Sequence, residues 1–493
     1  MKLYLTGHAY RYAVEQMLLL LFPAERPEYP DGAPDRTNDF LSSRLSVGTT
    51  WATCVTTLRL DGRTCHRTAR AAVSSLRGKL ETDRVFQRLV KLSFYKAACD
   101  LTGASPAWGA LTGIRPAKLV TRMLDEGKTP RQADARLRDV YFVTEARRKL
   151  VLDAAQAGRE ARAALRPEDV SVYVGIPFCP TRCAYCSFVS QSVEKSLQLI
   201  GPYLDALMRE IDAAGRALGE AGGRVKSLYM GGGTPTTLSA VQMDALLTRL
   251  EAAFDLSFCA ETTVEAGRPD TITAEKLLVL RDHGVTRISV NPQTMRDEVL
   301  AAMGRRHTAA DVLGAMELTR RVFPGDVNMD LIAGLPKDTP EGFRYSLDTV
   351  LALAPENVTV HTLSLKRGSR LMLEGGALPS AADVSDMLDY ANGRLRAEAY
   401  APYYLYRQKF MSGNFENVGW TRPGHTGLYN IYIMEELHTI LSLGGGGVTK
   451  LVDAKSGLIR RVCNPKYPYE YLDRIEKIIC DKALFPAFVR ERR

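Results

Sequence analysis

The sequence lacks the features that mark a membrane-spanning or a disulfide-linked secreted protein. No stretch approaches the ~20 consecutive apolar residues of a transmembrane helix, and the nearest run, Met17–Phe22, stops at Pro23. Arg11 and Glu15 precede that run, where a secretory signal would be apolar. Nine cysteines in 493 residues are too few for a disulfide scaffold. We therefore expect a cytoplasmic protein without a membrane span.

The composition excludes several other classes of protein. Hydrophobic residues make up 45% of the chain and charged residues 25%, which are ordinary globular values, so disorder, collagen and coiled coil are excluded. The chain carries 65 Lys and Arg against 56 Asp and Glu, a net charge of +9. This surplus is spread along the chain, and no RNA-binding module is recognisable. A nucleic-acid partner is therefore unlikely from the sequence.

Three regions differ in their pattern, and we predict a domain for each. Residues 1–165 form an α+β domain of unknown role, because strand-like and helix-like periodicities alternate there without any chemical motif. Residues 371–493 form a mixed α/β domain that covers the substrate. The predicted elements of the two regions are a strand at Met1–Thr6, a helix at Tyr10–Phe22, a hairpin or two strands at Leu45–Leu60, and helices at Arg67–Cys99, Ala117–Asp125 and Ala381–Tyr400.

The central region, residues 170–370, alternates short apolar strands with amphipathic helices. The predicted strands are Ser171–Ile176, Val225–Met230, Thr262–Ala266, Arg287–Asn291, Asp326–Ile332 and Asn357–Leu363. Repeated βα units imply parallel strands joined by right-handed crossovers. The fold class is therefore α/β, an open or closed barrel of six βα units, and chemistry is expected at the carboxyl ends of the strands.

Three of the nine cysteines lie within eight residues, directly after the first predicted strand of the barrel. Cys179, Cys183 and Cys186 have the spacing Cys-x-x-x-Cys-x-x-Cys, and prolines stiffen their loop. An iron–sulfur cluster is held by thiolates, and a cubane with three protein ligands keeps one iron open. Structural zinc usually takes four protein ligands, and no second arm of Cys or His lies nearby. The alternatives are a zinc knuckle, a redox disulfide, and three cysteines that are simply buried side chains.

This spacing, with Tyr185 before the last cysteine, resembles the signature of the radical S-adenosylmethionine (SAM) superfamily. The resemblance implies a partial (β/α)6 radical SAM barrel. It also implies a [4Fe–4S] cluster on Cys179, Cys183 and Cys186, whose open iron chelates the amino and carboxylate groups of SAM. Electron transfer from the reduced cluster would then release a 5′-deoxyadenosyl radical.

The resemblance also assigns residues at successive strand ends to the cluster or to SAM. A tyrosine beside the cluster corresponds to Tyr173, and a glycine-rich motif that binds the methionyl amine corresponds to Gly231, Gly232, Gly233 and Thr234. In the same superfamily a glutamate and a glutamine bind the ribose, an arginine binds the methionyl carboxylate, an aspartate also contacts SAM, and an apolar residue packs on adenine. The matching residues here are Glu265, Gln293, Arg305 (with Arg306 as the alternative), Asp330 and Ile332.

Segments outside the barrel resemble a particular branch, the HemZ-type coproporphyrinogen dehydrogenases, which are related to HemN and HemW. These segments are Trp108–Lys118, His361–Arg370, Tyr403–Gly419 and Gly427–Glu436. The resemblance implies an oxidoreductase of anaerobic haem (porphyrin) biosynthesis. Such an enzyme oxidatively decarboxylates two propionates of coproporphyrinogen III to the vinyl groups of protoporphyrinogen IX. Its electron donor would be a protein such as flavodoxin or ferredoxin.

A substrate with four carboxylates calls for cations at the mouth of the site. The candidates are Lys366, Arg367, Arg370, Arg407 and Lys409. Three positions depart from the bacterial oxygen-independent enzyme, which has a histidine in place of Gly175 and Gly-Cys in place of Ser187 and Phe188. Two rival functions stay open: a haem chaperone with a radical SAM barrel, and a radical SAM enzyme that methylates or opens haem. The chaperones carry a His-Asn-x-x-Tyr-Trp segment, and the comparable stretch here, Asn414–Trp420, lacks that histidine.

Overall fold

The fold is taken from a computed structural model that describes residues 1–492 except 36, 187–190, 193–196, 365–377 and 409–411. The chain divides into two compact units. Unit 1 comprises Met1–Pro116, Arg122–Leu152 and Arg407–Phe415, and unit 2 comprises Ala117–Thr121, Asp153–Tyr406 and Glu416–Arg493. The division into three domains drawn from the sequence stays a prediction.

Unit 1 is built on a four-stranded sheet in the order β1-β2-β3-β4. Strand β1 runs parallel to β2, and the other two pairs are antiparallel. Apolar side chains of the sheet, among them Leu41 and Leu58, pack with helix residues such as Leu89 in one buried core. The elements of this unit are β1 (Lys2–Thr6), α1 (Arg11–Leu21), β2 (Phe40–Val47), β3 (Trp51–Leu60), β4 (Arg63–Ala72), α2 (Gly78–Thr102), α4 (Pro130–Asp139), and parts of α3 (Pro116–Asp125) and α5 (Glu145–Ala163).

The first strand, the first helix and the hairpin predicted for this region are confirmed, but one predicted helix begins too early. Residues 67–72 belong to β4, which pairs with β3 from Trp51↔Ala72 to Leu60↔Arg63. Helix α2 begins only at Gly78. The segment 63–72 is rich in arginine and alanine, which favour a helix, but the backbone groups of β3 provide a complete ladder for it. Pairing with a neighbouring strand therefore outweighs local propensity.

Unit 2 contains an eleven-stranded sheet in the order β13-β14-β12-β11-β10-β9-β8-β5-β15-β16-β17. Its centre is the run of six parallel strands from β5 to β12, which confirms the six predicted βα units. The strands are β5 (Asp169–Ile176), β8 (Arg224–Gly232), β9 (Glu261–Glu265), β10 (Arg287–Ser289), β11 (Asp326–Ala333), β12 (Asn357–Thr362), β13 (Ala401–Arg407), β14 (Glu416–Thr421), β15 (Thr439–Gly444), β16 (Val448–Asp453) and β17 (Leu458–Cys463). A separate pair, β6 (Phe178–Cys179) and β7 (Gln191–Ser192), follows β5.

Helices connect the parallel strands and cover the sheet. They are α6 (Ile200–Ala221), α7 (Ala240–Ala253), α8 (Ala274–Asp282), α9 (Asp297–Ala302), α10 (Ala309–Val322), α11 (Pro340–Ala352), α12 (Ala381–Ala397), α13 (Leu428–Glu435), α14 (Pro468–Asp473), α15 (Ile475–Asp481) and α16 (Leu484–Arg490). Side-chain caps begin several of them. Ser239 and Thr308, for example, each accept a hydrogen bond from the backbone three residues on. Across the residues described, no helix is long and apolar enough to cross a membrane.

The last strands of the chain extend the same sheet on both sides. Strand β15 pairs parallel with β5, so that Gly444 lies opposite Gly175, and β14 pairs antiparallel with β12. The central strands are buried on both faces. In β5 only Tyr173 is partly exposed, as expected where helices and loops cover a parallel sheet. The carboxyl ends of β5 and β8–β12 therefore meet at one edge, where the residues predicted to hold the cluster and SAM lie.

Candidate active site

The three clustered cysteines lie in one loop at the carboxyl end of β5. Cys179 ends β6 and receives a hydrogen bond from the Thr234 hydroxyl at 3.5 Å. Cys183 and Cys186 are joined by a backbone hydrogen bond of 3.2 Å, and Ala184 N–H donates to the carbonyl of Met303. Among the residues described, no three His, Cys, Asp or Glu side chains converge as a metal site. The loop therefore brings the thiols to the strand ends without gathering them around one point.

The glycine run after β8 lies where backbone and side chains approach closely. A Cβ on Gly231 would lie 2.8 Å from the carboxyl carbon of Glu265. Gly232 has a φ of +111°, which side-chain-bearing residues rarely adopt. A Cβ on Gly233 would lie 2.4 Å from the carbonyl oxygen of Phe178. The motif is glycine because each position leaves no room for a side chain or requires a glycine conformation.

We expect Gly233→Ala to destabilise the protein by about 1–3 kcal/mol, because its methyl group would collide with two backbone carbonyls. Those are the carbonyls of Ile176 and Phe178, which lead into Cys179. The measurement is the free energy of unfolding by denaturant. Gly219→Ala is the matched control, because nothing lies within 4 Å of its Cβ position and alanine favours a helix. Equal stability of the two variants would contradict the packing described here.

Glu265 ends β9, and its carboxylate is held at the carboxyl end of the sheet by its neighbours. The Tyr229 hydroxyl donates to Glu265 Oε1 at 2.6 Å, and the backbone N–H of Gly232 also donates to the carboxylate. Burial raises the pKa of Glu265 to about 7, and the charge of Asp330 adds to the effect. Glu265 therefore changes protonation near neutral pH.

A stack of tyrosines lies beside this carboxylate. The rings of Tyr229 and Tyr429 are 4.4 Å apart, and Tyr173 stacks on Tyr229 at 6.2 Å. Burial raises the pKa of Tyr173 well above its ordinary value. The stack forms an apolar wall with hydroxyl groups at its edge, and it connects strands β5 and β8 with helix α13.

Gln293 lies between the ends of β10 and β11. Its backbone has a φ of +70°, and it exchanges hydrogen bonds of 2.9 Å with Asp330 and Ile332. Its side-chain Oε1 is buried and has no hydrogen-bond partner among the described residues. A buried polar atom without a partner is uncommon in native proteins and often marks a ligand position. Ile332 is buried beside Met303 in a small apolar cluster.

Arg305 is 9% exposed, whereas Arg306 is exposed. One Nη of Arg305 donates to the carbonyl of Asn291 at 2.8 Å, and the other donates to the Tyr185 hydroxyl at 3.2 Å. Its Nε is buried and has no hydrogen-bond partner in the described part of the chain. This free N–H is a donor that suits a carboxylate oxygen.

Asp330 lies on β11 and stays ionised. Burial by itself would raise the pKa of Asp330, but the neighbouring His361 and a hydrogen bond from Asn328 lower it below its usual range. The Asn328 amide lies 2.7 Å from Oδ1, and His361 Nε2 lies 3.7 Å from Oδ2. Glu265, whose pKa is raised, and Asp330, whose pKa is lowered, therefore lie at the same edge of the sheet.

The chemistry of these groups suits an iron–sulfur cluster and a polar nucleoside ligand. Three thiols share one short loop, which matches a cluster with three protein ligands. Gln293 Oε1 and Arg305 Nε supply an acceptor and a donor, and Glu265 and Asp330 supply acceptors for hydroxyl or amino groups. The donor set fits both groups, although the thiols are not gathered as they would be around a bound metal.

The structure describes only one of the predicted substrate cations, Arg407. Lys366, Arg367, Arg370 and Lys409 lie outside the described residues. Arg407 is a buried residue of unit 1, where its guanidinium lies 4.9 Å above the Trp108 ring and donates to the carbonyls of Leu111 and Asn414. These contacts give Arg407 a packing function in unit 1, and its contact with a substrate stays a prediction.

Sequence reasoning missed four residues of the site: Tyr229, Arg268, His361 and Tyr429. A signal was available for two of them, because Tyr229 lies two residues before Gly231 and Arg268 follows Glu265 by three residues. Tyr429 lies in the HemZ-type segment Gly427–Glu436, but no role was predicted for it, since it reaches the site only through the placement of α13. His361 was included in the HemZ-type segments without a role.

Comparison with known proteins identifies the family. Residues 173–350 match the sequence profile of the Radical SAM superfamily. The oxygen-independent coproporphyrinogen-III oxidase-like protein HemZ of Bacillus subtilis is 41% identical over 386 residues, which cover 77% of each chain. The chain belongs to the radical SAM family of HemN-, HemZ- and HemW-like proteins, whose cofactors are a [4Fe–4S] cluster and SAM.

Other relatives cover less of the chain. The heme chaperone HemW of Bacillus subtilis is 33% identical over 243 residues, or 48% of this chain and 62% of its own length. The solved structure of the coproporphyrinogen III oxidase HemN of Escherichia coli, described as a radical SAM enzyme, matches with a TM-score of 0.52 and 25% identity. That match covers 66% of this chain and 72% of HemN. Both an oxidase and a chaperone are thus among the similar proteins.

Proposed function

We propose that the protein is an oxygen-independent coproporphyrinogen III dehydrogenase that converts two propionates of its substrate to vinyl groups. The observation that carries the proposal is a group of buried polar atoms that can bind a ligand, at the same edge of the sheet as the three-cysteine loop. Gln293 Oε1 and Arg305 Nε are buried and have no hydrogen-bond partner among the described residues, and Glu265 lies on the same edge of the sheet. The similarity to HemZ over 77% of both chains supports the choice of substrate.

In this proposal Cys179, Cys183 and Cys186 hold the cluster, with Tyr173 beside it. When bound, the cluster and SAM supply a carbon radical that can remove a hydrogen atom from an unactivated carbon. The chain's own task is to orient SAM and keep water away. The buried apolar cluster of Val299, Met303, Ile332, Leu335 and Leu363, with Tyr185 packed against it, serves the second purpose.

Each polar residue of the site then has a distinct contact with SAM. The backbone of Gly231–Gly233, with Thr234, faces the methionyl amine, and the free Nε–H of Arg305 faces the methionyl carboxylate. Glu265 and Gln293 accept hydrogen bonds from the ribose hydroxyls, and Asp330 gives a further acceptor. Ile332 packs against the adenine.

The reaction needs no general acid or base from the protein. Removal of one β-hydrogen atom, one electron and carbon dioxide from a propionate leaves a vinyl group. The electron passes to an acceptor, and a small reducing protein such as flavodoxin or ferredoxin supplies the electron that cleaves SAM. Lys366, Arg367, Arg370 and Lys409 are proposed contacts for the substrate carboxylates.

The second candidate function is that of a haem chaperone. It is favoured by the 33% identity to HemW of Bacillus subtilis over 243 residues. A chaperone would bind haem and transfer it without changing it. The two functions therefore differ in whether the bound tetrapyrrole changes in mass.

One anaerobic experiment separates these functions. The reconstituted protein is incubated with SAM, dithionite and either coproporphyrinogen III or haemin, and the products are identified by mass spectrometry. We expect protoporphyrin from coproporphyrinogen III, after oxidation for detection, and release of 5′-deoxyadenosine. Stable haem binding without any product would overturn the proposal in favour of the chaperone. A methylated or ring-opened haem would overturn it in favour of a haem-modifying enzyme.

A further inference from the structure

Arg268 is a buried cation in direct contact with the cysteine loop, and none of the proposed roles uses it. It follows β9 by three residues and is 3% exposed. One Nη lies 3.1 Å from the Thr181 hydroxyl and 3.9 Å from the sulfur of Cys183. Its Nε and other Nη donate to the two carboxylate oxygens of Asp270 at 3.0 and 3.2 Å. The guanidinium therefore holds an aspartate on one side and the loop on the other.

The charge around Cys183 is positive on the side that faces Arg268 and Arg305. Asp270 pairs with Arg268, and among the described residues no carboxylate forms an ion pair with Arg305. His307 lies near both arginines, and neither ring nitrogen has a hydrogen-bond partner in the described chain. Burial, followed by the charges of Arg305 and Arg268, lowers the pKa of His307 to about 4. His307 is therefore neutral near pH 7 and adds no third charge.

A buried cation that points at a ligand sulfur has a known electrostatic consequence. Hydrogen bonds to the sulfurs and nearby positive charge stabilise the reduced, more negative state of an iron–sulfur cluster and raise its reduction potential. Arginine suits this position because its planar fork can bind both Asp270 oxygens and still direct a further N–H toward the loop. A lysine has no such fork.

We propose that Arg268 is a positioning residue that holds the cysteine loop through Thr181 and raises the reduction potential of the cluster bound there. Asp270 limits the effect by neutralising part of the charge. This inference rests on the proposed cluster site at Cys179, Cys183 and Cys186, and it is independent of the tetrapyrrole substrate.

The test compares Arg268→Gln and Asp270→Asn in the full-length, anaerobically reconstituted protein. Arg249→Gln is the control, since Arg249 is an exposed arginine that likewise pairs with an aspartate, Asp212. Iron and sulfide per chain are measured first, and the midpoint potential of the cluster is then measured by titration with electron paramagnetic resonance. Because the two variants change the local charge in opposite directions, a purely structural role cannot produce the expected pattern.

Arg268→Gln should lower the reduction equilibrium constant about tenfold, which corresponds to ~59 mV for one electron, and Asp270→Asn should raise it by a similar factor. Unchanged potentials in both variants at full cluster content would overturn the inference. If Arg268→Gln does not bind a cluster, the direction of the shift in midpoint potential of Asp270→Asn decides the test. Loss of the cluster from both variants would mean that Arg268 and Asp270 only support the structure of the loop, and it would also overturn the inference. Absence of a cluster from the wild type would instead contradict the proposed function.

Discussion

Cys183→Ser should leave the protein folded but without a functional cluster, and its release of 5′-deoxyadenosine from SAM should fall by about 100-fold or more. Loss of a residue that merely supports a metal ligand typically costs 10–100-fold, so loss of a ligand should cost at least as much. Cys183 is part of a loop whose backbone is held independently, through Ala184 to Met303. The fold should therefore survive the substitution.

The measurement is iron and acid-labile sulfide after anaerobic reconstitution, together with 5′-deoxyadenosine release. Cys463→Ser is the matched control, because Cys463 is an exposed cysteine at the end of β17. We expect full cluster content in the control and little in Cys183→Ser. Zinc in place of iron in the wild-type protein, or undiminished release of 5′-deoxyadenosine by Cys183→Ser, would refute the cluster assignment.

Glu265→Gln should stabilise the protein at pH 8 by up to about 3 kcal/mol and have little effect on stability at pH 5. The wild-type carboxyl keeps its proton in the folded state up to about pH 7, whereas an unfolded glutamate loses it near pH 4.5. The folded state thus binds more protons between these values, and the stability of the wild type falls as the pH rises through them. A shift of this size corresponds to about 3 kcal/mol.

Glutamine resembles the protonated carboxyl and can still accept the hydrogen bond from Tyr229. The variant therefore does not lose stability at this position as the pH rises. The free energy of unfolding by denaturant at pH 5 and pH 8 is the measurement. Glu317→Gln, at an exposed position of α10, is the control and should show the same pH dependence as the wild type. A pH dependence in Glu265→Gln that equals that of the wild type would contradict the raised pKa.

The same variant should bind S-adenosylhomocysteine, an analogue of SAM that lacks the methyl group, about tenfold more weakly at pH 8, which corresponds to about 1.4 kcal/mol, because the ionised acceptor for the ribose hydroxyls is lost. Calorimetry on the cluster-free protein measures this without any contribution from the iron. Binding that is unaffected by the substitution would remove Glu265 from the proposed SAM contacts while leaving the stability prediction intact.

Local patterns were sufficient to predict much of unit 2. The six parallel strands follow from short apolar runs separated by amphipathic helices, and parallel strands place their carboxyl ends on one edge. The positions of Glu265, Gln293 and Asp330 near one another follow from that rule. The backbone hydrogen bonds of Gln293 with Asp330 and Ile332 could not be predicted from that rule, because they depend on an unusual left-handed conformation at Gln293.

Residue identity alone could not distinguish two adjacent arginines or assign a role to Arg407. Arg305 and Arg306 are equivalent in sequence, but the turn after α9 buries Arg305 and exposes Arg306. Arg407 is of a residue type that often binds anions. Its guanidinium, however, donates hydrogen bonds to backbone carbonyls and lies over the Trp108 ring of unit 1. In both cases the environment of the charge, rather than its presence, decides what it can do.

The sequence by itself determined the βα succession, the three-cysteine loop and the order of polar residues along the strand ends, since all three depend on spacing within short segments. Only the tertiary structure decided that Arg268 lies against Cys183, 85 residues earlier in the chain, that Tyr429 stacks on Tyr229, and that residues 67–72 form a strand. The physical reason is that burial, hydrogen-bond partners and electrostatic neighbours are set by contacts between segments far apart in the chain. Local periodicity carries no information about those contacts.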